Sequence, residues 1–132
     1  IRADGHEIAI HGYDHSLHDI PGQVRRCAGI LSATGKVARL MRPPGGYLRA
    51  GDWAWLVRHQ YVPVLWSFDT GDSMISGGKW KHGPVDYSGV GAGDIVLMHD
   101  DNRVCVEALD SMFEVMAGKG LRSVAVSRLL RL

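Results

Sequence analysis

The fold and the candidate site are best interpreted from one stretch near the beginning of the chain: Glu7-Ile8-Ala9-Ile10-His11-Gly12-Tyr13-Asp14-His15. Its first four residues are mostly apolar and predict a short strand. Two histidines come next, His11 and His15, and neutral imidazole is the commonest metal ligand in proteins. Histidines four residues apart share one face of a helical turn and can hold one ion, so the stretch predicts metal ligation. Asp14 could be a third ligand, but helical spacing would point it elsewhere, toward solvent.

The composition is that of an ordinary globular domain. The 132 residues suit a single domain, and 45% of them are hydrophobic while 22% are charged. A net charge of +1 argues against a nucleic-acid partner or an anionic membrane surface. No apolar run approaches the roughly 18 residues of a membrane span. Cys27 and Cys105 fall on apolar helix faces and are expected to be buried free thiols.

Predicted strands alternate with predicted helices along the chain. A helix with an apolar stripe is expected to begin at Asp19-Ile20-Pro21, with Asp19 as its cap. Asp52 could cap a second helix, and a third is expected over residues 105–116. Residues 74–93 are rich in glycine and are expected to form a long loop. The strands expected after the first are residues 38–41, 62–68, 95–98 and 123–126. This alternation predicts a parallel α/β sheet or barrel.

Polar side chains stand at the ends of four predicted strands. His11, Arg42 and His99 each follow one strand, and Asp69 with Asp72 follows another. The carboxyl ends of parallel strands lie on one face of an α/β fold, where active sites are built. We therefore expect these side chains to form one site that includes the histidine pair.

Two of these groups have alternative interpretations. The segment Arg42-Pro43-Pro44-Gly45-Gly46 could be only a turn. It could also fix an arginine that orients a carboxylate, while its glycines let a ligand approach backbone N–H groups. His99 could be structural, or a general acid whose tautomer is held by Asp72. Asp69 is expected only to form a turn, and Lys79-Trp80-Lys81-His82 to be a solvated loop rather than a glycan contact.

Four motifs in series resemble one known family. They are Gly5-His6-Glu7-Ile8 with His11 and His15, then Arg42-Pro43-Pro44-Gly45-Gly46, then Trp66-Ser67-Phe68-Asp69-Thr70-Gly71-Asp72, then Gly93-Asp94-Ile95-Val96-Leu97-Met98-His99-Asp100. In order and approximate spacing they resemble the NodB-homology polysaccharide deacetylases, carbohydrate esterase family four, over essentially the whole chain. The resemblance implies a distorted (β/α) barrel that removes N-acetyl groups from an amino-sugar polymer such as chitin or peptidoglycan.

The resemblance also implies a metal site. His11 and His15 match two histidines that, with one aspartate, hold a divalent metal, most often zinc. In the family the aspartate and the catalytic base come from an opening Thr-Phe-Asp-Asp motif, which does not occur in this chain. We therefore expect residues 1–132 to be the later portion of a NodB-homology domain, apparently without its first strands, whose third ligand is supplied by a preceding segment.

The remaining matches concern catalysis. Arg42 matches the arginine that orients the catalytic base, and Asp72 matches the partner of the catalytic histidine. His99 matches that histidine, which protonates the leaving amine. Leu97 matches the leucine of the pocket for the acetyl methyl group. The backbone N–H of Gly45 would help to stabilise the oxyanion.

Three positions depart from the family pattern. Gly12 stands where serine or threonine is usual, Ser73 where the family has tryptophan, and Gly45 where an aromatic residue is frequent. Gly12 and Ser73 leave open an O-acetyl esterase or cyclic-amide hydrolase of the same fold. The missing Thr-Phe-Asp-Asp motif leaves open a non-catalytic fragment or a glycan-binding remnant. A carbohydrate or acetylated compound is the expected partner, and the family favours an extracellular or cell-envelope location.

Overall fold

The computed structural model describes residues 2–76, 86–100 and 103–132. Short strands mostly alternate with helices, as the sequence predicts, but two strands follow each other directly within residues 62–69. The helices are α1 (Ile20–Ser32), α2 (Ala50–Arg58), α3 (Asp72–Ser76), α4 (Arg103–Gly118) and α5 (Val126–Leu130), and the strands are β1 (Leu40–Met41), β2 (Val62–Pro63), β3 (Phe68–Asp69) and β4 (Val96–Leu97). Two compact units are described in turn, Ile1–Leu65 with Ala125–Leu132, and Trp66–Val124. Among the described residues, no helix has the length and apolar composition needed to cross a membrane.

In the first unit, parallel pairing aligns the ends of neighbouring strands. β1 pairs with β2 in parallel, and Ile10 forms an isolated parallel bridge with Met41. The Ile10 N–H donates to the Leu40 carbonyl at 3.0 Å, and the Arg42 N–H donates to the Ile10 carbonyl at 2.9 Å. His11 and Arg42 therefore leave the paired strands side by side, as the sequence predicts. The strand expected over residues 7–10 is reduced to this single bridge.

Helix α1 follows its sequence signals. The Asp19 carboxylate accepts from the Gly22 N–H at 3.1 Å and so caps the helix. Val24 is fully buried, and Cys27 packs against the same cluster as a half-buried free thiol. The cluster buries one face of α1 against β1 and α2, and its fully buried members are Ile10, Ile20, Val24, Met41 and Leu56.

Helix α2 is capped differently from the expectation. Its N-cap is Arg49, and Asp52 lies in the first turn, where its carboxylate accepts from the Arg49 N–H at 3.0 Å. Asp52 therefore stabilises the start of the helix from inside, as an acidic residue in a capping box does.

The second unit has its own parallel pair and its own core. β3 pairs with β4, with Phe68 opposite Val96 and Asp69 opposite Leu97. Helix α4 confirms the helix expected over residues 105–116. The core of the second unit is built on the buried residues Tyr87 and Met112. The partly buried residues packed around them are Phe68, Ile75, Met98, Val104, Leu109, Val115 and Met116. Cys105 on α4 is buried and forms no disulfide.

Two predicted strands are wrong. Residues 62–68 form two separate strands, because Val62–Pro63 pairs with β1 whereas Phe68–Asp69 pairs with β4. Residues 123–126 do not form a strand and instead lead into α5. The Ser127 N–H at the start of α5 donates to the Glu7 carboxylate at 3.1 Å, which favours a helix terminus there.

The long loop expected over residues 74–93 begins with α3, which ends at Ser76. Its central part, residues 77–85, lies outside the described residues. The interpretation of Lys79-Trp80-Lys81-His82 lies outside them too.

Candidate functional site

The histidine pair lies on an irregular loop rather than on a helical turn. The rings of His11 and His15 are exposed, with centroids 5.0 Å apart and planes at 76°. The prediction of a helical turn is wrong, because the backbone between them passes through left-handed conformations. Gly12 has φ = 100° and His15 has φ = 61°. Glycine adopts such a φ without the steric cost that a Cβ imposes, which accounts for Gly12 after the first histidine.

His11 is held in one tautomer. Its Nδ1 lies 2.8 Å from the backbone carbonyl oxygen of Arg42. Because a carbonyl only accepts, Nδ1 carries the hydrogen, and the lone pair of the neutral ring is on Nε2. Metal-ligating histidines usually donate their other ring N–H in this way, so His11 is prepared to ligate through Nε2.

The histidine loop rests on Gln23, a residue that the sequence interpretation missed. Gln23 lies on the buried face of α1 and hydrogen-bonds with Tyr13, Asp14 and Ser16. The signal that could have found it is a polar side chain directly before Val24, on the helix face that faces the core. Hydrogen bonds, first that from the Ser16 N–H and then that from Gln23, lower the pKa of the exposed Asp14 carboxyl.

The Arg42-Pro43-Pro44-Gly45-Gly46 segment is more regular than expected. Pro44–Gly46 forms one turn of 3-10 helix on two fully buried prolines, with Gly45 at φ = 58°. A Cβ at Gly45 would meet no atom within 4 Å, so the space beside this backbone is open to a ligand. Arg42 is half-buried, and burial lowers the pKa of its guanidinium.

Asp72 and His99 form the predicted pair in the second unit. His99 Nδ1 lies 2.9 Å from Asp72 Oδ1, and the His99 backbone N–H donates to Asp72 Oδ2 at 2.8 Å. Asp72 is fully buried, whereas the His99 side chain is 34% exposed. Since the carboxylate accepts from Nδ1–H, the ring presents Nε2 on its other side, as a group that exchanges a proton with substrate requires.

Thr70 ties this pair to strand β4. Its hydroxyl lies 3.0 Å from the Leu97 carbonyl oxygen and 3.0 Å from Asp72 Oδ1. Asp69 takes no part in the pair and is exposed, with its carboxylate accepting from the Gly71 N–H at 2.8 Å. This is the turn-forming role expected of Asp69. Leu97 is half-buried in β4, and Ser73 is exposed at the start of α3.

Two weakly acidic side chains, those of Cys105 and Tyr87, lie near Asp72. Burial first, and then the charge of Asp72, raise the pKa of the Cys105 thiol. Burial also raises the pKa of Tyr87, whose hydroxyl has no hydrogen-bond partner among the described residues. Neither side chain therefore adds a second charge beside Asp72 at neutral pH.

The donor set of the first unit fits part of a divalent-metal site. Two exposed imidazoles lie next to each other, edge to face, and one is already held with the lone pair on Nε2, which suits zinc and similar ions. Within the described ranges, no group of three or more His, Cys, Asp or Glu residues could hold an ion. Within these ranges, His11 and His15 therefore offer two ligands for a metal ion.

The predicted site residues fall into two groups. The first unit contains His11, His15, Arg42 and Gly45, and His11 is hydrogen-bonded to the backbone carbonyl of Arg42. The second unit contains Asp72, Leu97 and His99, with Thr70 bridging Asp72 and Leu97. The prediction that both groups serve one reaction stays a prediction, as do the single-domain boundaries 1–132.

Known proteins resemble this chain in sequence and in structure. No protein-family model matches the sequence. The peptidoglycan-N-acetylglucosamine deacetylase of Bacillus cereus is 29% identical over 150 aligned positions, which cover 97% of this chain and 65% of that protein. The structure of a family 4 carbohydrate esterase from Streptomyces lividans, in complex with acetate, has a TM-score of 0.78 at 25% identity and covers 96% of this chain and 68% of that one.

A third relative shows that the fold can occur without activity. The structure of a pseudoenzyme of carbohydrate esterase family four from Bacillus anthracis has a TM-score of 0.73 at 26% identity. The match covers 91% of this chain and 44% of the pseudoenzyme chain. The α/β fold and the family resemblance predicted from the four motifs are thus confirmed. In sequence and in fold, the chain is similar to a peptidoglycan deacetylase and to esterases of carbohydrate esterase family four, the NodB-type polysaccharide deacetylases.

Proposed function

We propose that the protein carrying this chain is a metal-dependent hydrolase that removes N-acetyl groups from an amino-sugar polymer. One observation carries the proposal: the chain holds two histidine groups prepared for different tasks. The exposed His11–His15 pair offers a lone pair on Nε2 of His11, and His99 is bonded to the buried carboxylate of Asp72. Amide hydrolysis assisted by a metal needs both a ligand set and an acid for the leaving amine.

His11 and His15 would hold the ion, which we expect to be zinc, and a third ligand, an aspartate, is expected outside the described residues. When bound, such an ion polarises a carbonyl and makes a water more acidic. Arg42 would orient the catalytic base.

The residues of the second unit would act on the leaving group. His99 would donate a proton from Nε2 to the amine nitrogen as its bond to the acetyl carbon breaks. Asp72 would hold Nδ1–H and stabilise the imidazolium form by its charge. The backbone N–H of Gly45 would donate to the developing oxyanion, and Leu97 would contact the acetyl methyl group.

The substrate class is inferred from the relatives. The name of the Bacillus cereus relative specifies the N-acetylglucosamine of peptidoglycan. We extend that chemistry to this chain as an N-acetylated glycan of the peptidoglycan or chitin type, met in the cell envelope or outside the cell.

The test uses the intact protein. Metal content and acetate release from N-acetylglucosamine oligomers are measured for wild type, for His15→Ala and for a matched control, His59→Ala. His59 is also exposed, but its ring stacks on Trp55 at the end of α2. We expect His15→Ala to lose both metal and acetate release and His59→Ala to keep both. Retention of both by His15→Ala would contradict the proposal.

A second candidate function is glycan binding without hydrolysis. The described residues offer two metal ligands, and a pseudoenzyme shares the fold. Glycan binding by wild type with no acetate release, with zinc supplied, would favour this candidate. Release from O-acetylated but not N-acetylated glycan would favour an esterase instead.

A further inference from the structure

Gln23 uses its whole hydrogen-bonding capacity on the loop that carries the histidine pair. It is 7% exposed on the buried face of α1. Its Oε1 accepts from the Tyr13 N–H at 2.6 Å and from the Asp14 N–H at 3.0 Å. Its Nε2 donates to the Ser16 hydroxyl at 2.8 Å and to the Asp14 carboxylate. A glutamine amide accepts two hydrogen bonds and donates two, so all four are made.

The chemistry of the partners sets the orientation of this amide. The two backbone N–H groups only donate, so they must face Oε1. The ionised Asp14 carboxylate only accepts, so it must face Nε2. A flipped amide would oppose donor to donor and acceptor to acceptor. Glutamine is therefore the side chain that this arrangement requires, and glutamate or leucine would leave part of it unmatched.

The bonded residues lie between and directly after the two histidines. The same loop holds Gly12 at φ = 100° and His15 at φ = 61°, and a left-handed backbone at a residue with a Cβ costs about 1–2 kcal/mol. Such a conformation persists where its surroundings determine it. Gln23 is the buried side chain that bonds to the backbone between His11 and His15, so it is placed to hold the loop in this shape.

We infer that Gln23 is a positioning residue for the metal pair: it holds the loop so that the His15 ring meets the His11 ring before the ion arrives. The inference rests on the proposed function, in which His11 and His15 ligate a metal. It assigns Gln23 no contact with metal or substrate. A preorganised pair binds an ion more tightly because less ordering remains for the binding step.

The test measures zinc affinity and thermal stability of the intact protein. Gln23→Leu keeps the approximate size of the side chain and removes all four hydrogen bonds. The matched control is Val24→Ala, which opens a cavity at the next, fully buried position of the same helix. We expect Gln23→Leu to weaken zinc binding about 10–100-fold, as loss of an outer partner of a ligand typically does. Val24→Ala is expected to lower the melting temperature and leave zinc affinity at the wild-type value.

A second variant and a second readout keep the inference testable if the Gln23→Leu variant does not fold. Gln23→Glu is combined with Asp14→Asn, because a glutamate alone would set its carboxylate against that of Asp14. This double variant keeps both acceptor bonds to the loop backbone, so it is expected to fold and to weaken zinc binding less than Gln23→Leu. Amide hydrogen exchange at Tyr13 and Asp14 is expected to accelerate in Gln23→Leu without zinc present. Wild-type zinc affinity in both variants would overturn the inference alone, whereas a wild type that binds no zinc would overturn the proposed function.

Discussion

His11 and His99 make the same kind of hydrogen bond with different acceptors. His11 Nδ1 lies 2.8 Å from the Arg42 carbonyl oxygen, and His99 Nδ1 lies 2.9 Å from Asp72 Oδ1. A carbonyl fixes the tautomer of a neutral ring and leaves Nε2 free to ligate a metal. A carboxylate fixes the same tautomer and also stabilises the imidazolium by charge. The carboxylate at Nδ1 thus gives His99 the charge stabilisation that a general acid uses, which the carbonyl at Nδ1 of His11 does not supply.

His11 and His99 also differ in how deeply the residues around them are buried. His11 and His15 are exposed on a loop with left-handed backbone, held from beneath by the amide of Gln23. Asp72 is fully buried, and the ring and backbone of His99 both bond to it. The first region is open to an ion from solvent, whereas the second keeps one charge in a fixed place.

Replacing His99 by alanine tests this separation with the largest expected effect. The kcat for acetate release by the intact protein is expected to fall about 10²–10⁴-fold, because a positioned general acid contributes that much. Metal content is expected to remain at the wild-type level. Kinetics and metal analysis on the same preparation check both statements, and loss of metal would make His99 a ligand and remove the distinction.

Asp72 and Asp69 offer a comparison of a buried and an exposed carboxylate three residues apart. Asp72→Ala is expected to lower the free energy of unfolding by about 2–4 kcal/mol, since hydrogen bonds to a charged acceptor are lost and buried donors are left unpaired. Asp69→Ala removes the acceptor of one N–H, that of Gly71, at an exposed position and is expected to cost about 0.5–1.5 kcal/mol. Denaturant unfolding of both variants measures the difference, and equal losses would refute the role given to burial.

Gly12→Ser restores the residue type usual in the family and tests the loop of the first region. Its φ of 100° is strained for any residue with a Cβ, which would also lie 3.4 Å from Pro44 Cγ. We expect a loss of about 1–3 kcal/mol in the free energy of unfolding. The control is Gly29→Ser on α1, where a Cβ would meet no atom within 4 Å; it is expected to be neutral or slightly stabilising. A stable Gly12→Ser variant with unchanged zinc affinity would show that the loop tolerates another backbone path.

Raising the pH is expected to have the smallest effect, a loss of folding stability that originates at Cys105 and Tyr87 in the second unit. Burial raises the pKa of the Cys105 thiol above its ordinary 9.0 and the pKa of Tyr87 above its ordinary 10.0. The folded chain therefore keeps protons that the unfolded chain releases, so stability is full below about pH 9 and declines as pH rises above it. Urea unfolding between pH 7 and pH 10.5 measures the decline. Cys105→Ala and Tyr87→Phe together are expected to flatten it, and an unchanged slope would contradict this origin.

Features set by local chemistry could be predicted from the sequence. The start of α1 at Asp19, the apolar face of that helix and the polar residues after strand ends all follow from neighbouring residue types. The pairing of His99 with Asp72 could also be predicted, because both follow strands that lie in parallel.

Features set by partners far along the chain could not be predicted. Residues 62–68 resemble one strand, but they change pairing partner between β2 and β3. Residues 123–126 are apolar enough for a strand, yet the chain turns into α5, where Glu7 receives the Ser127 N–H. Gln23 carries no motif of its own: the sequence marks it only as a polar residue on the core-facing side of α1, and its role is visible in its contacts with the histidine loop.

Residue types and their spacing were enough to predict which chemistry the chain offers: two histidines for a metal, a histidine and an aspartate for proton transfer, and a family resemblance in four motifs. These are local properties, so they can be recognised without a fold. Folding alone brings Nδ1 of His11 to a carbonyl 31 residues away and Nδ1 of His99 to a carboxylate 27 residues away. It also buries Asp72 and leaves Asp69 exposed. Hydrogen-bond partners and burial depend on which distant segments pack together, and one-dimensional spacing does not specify that.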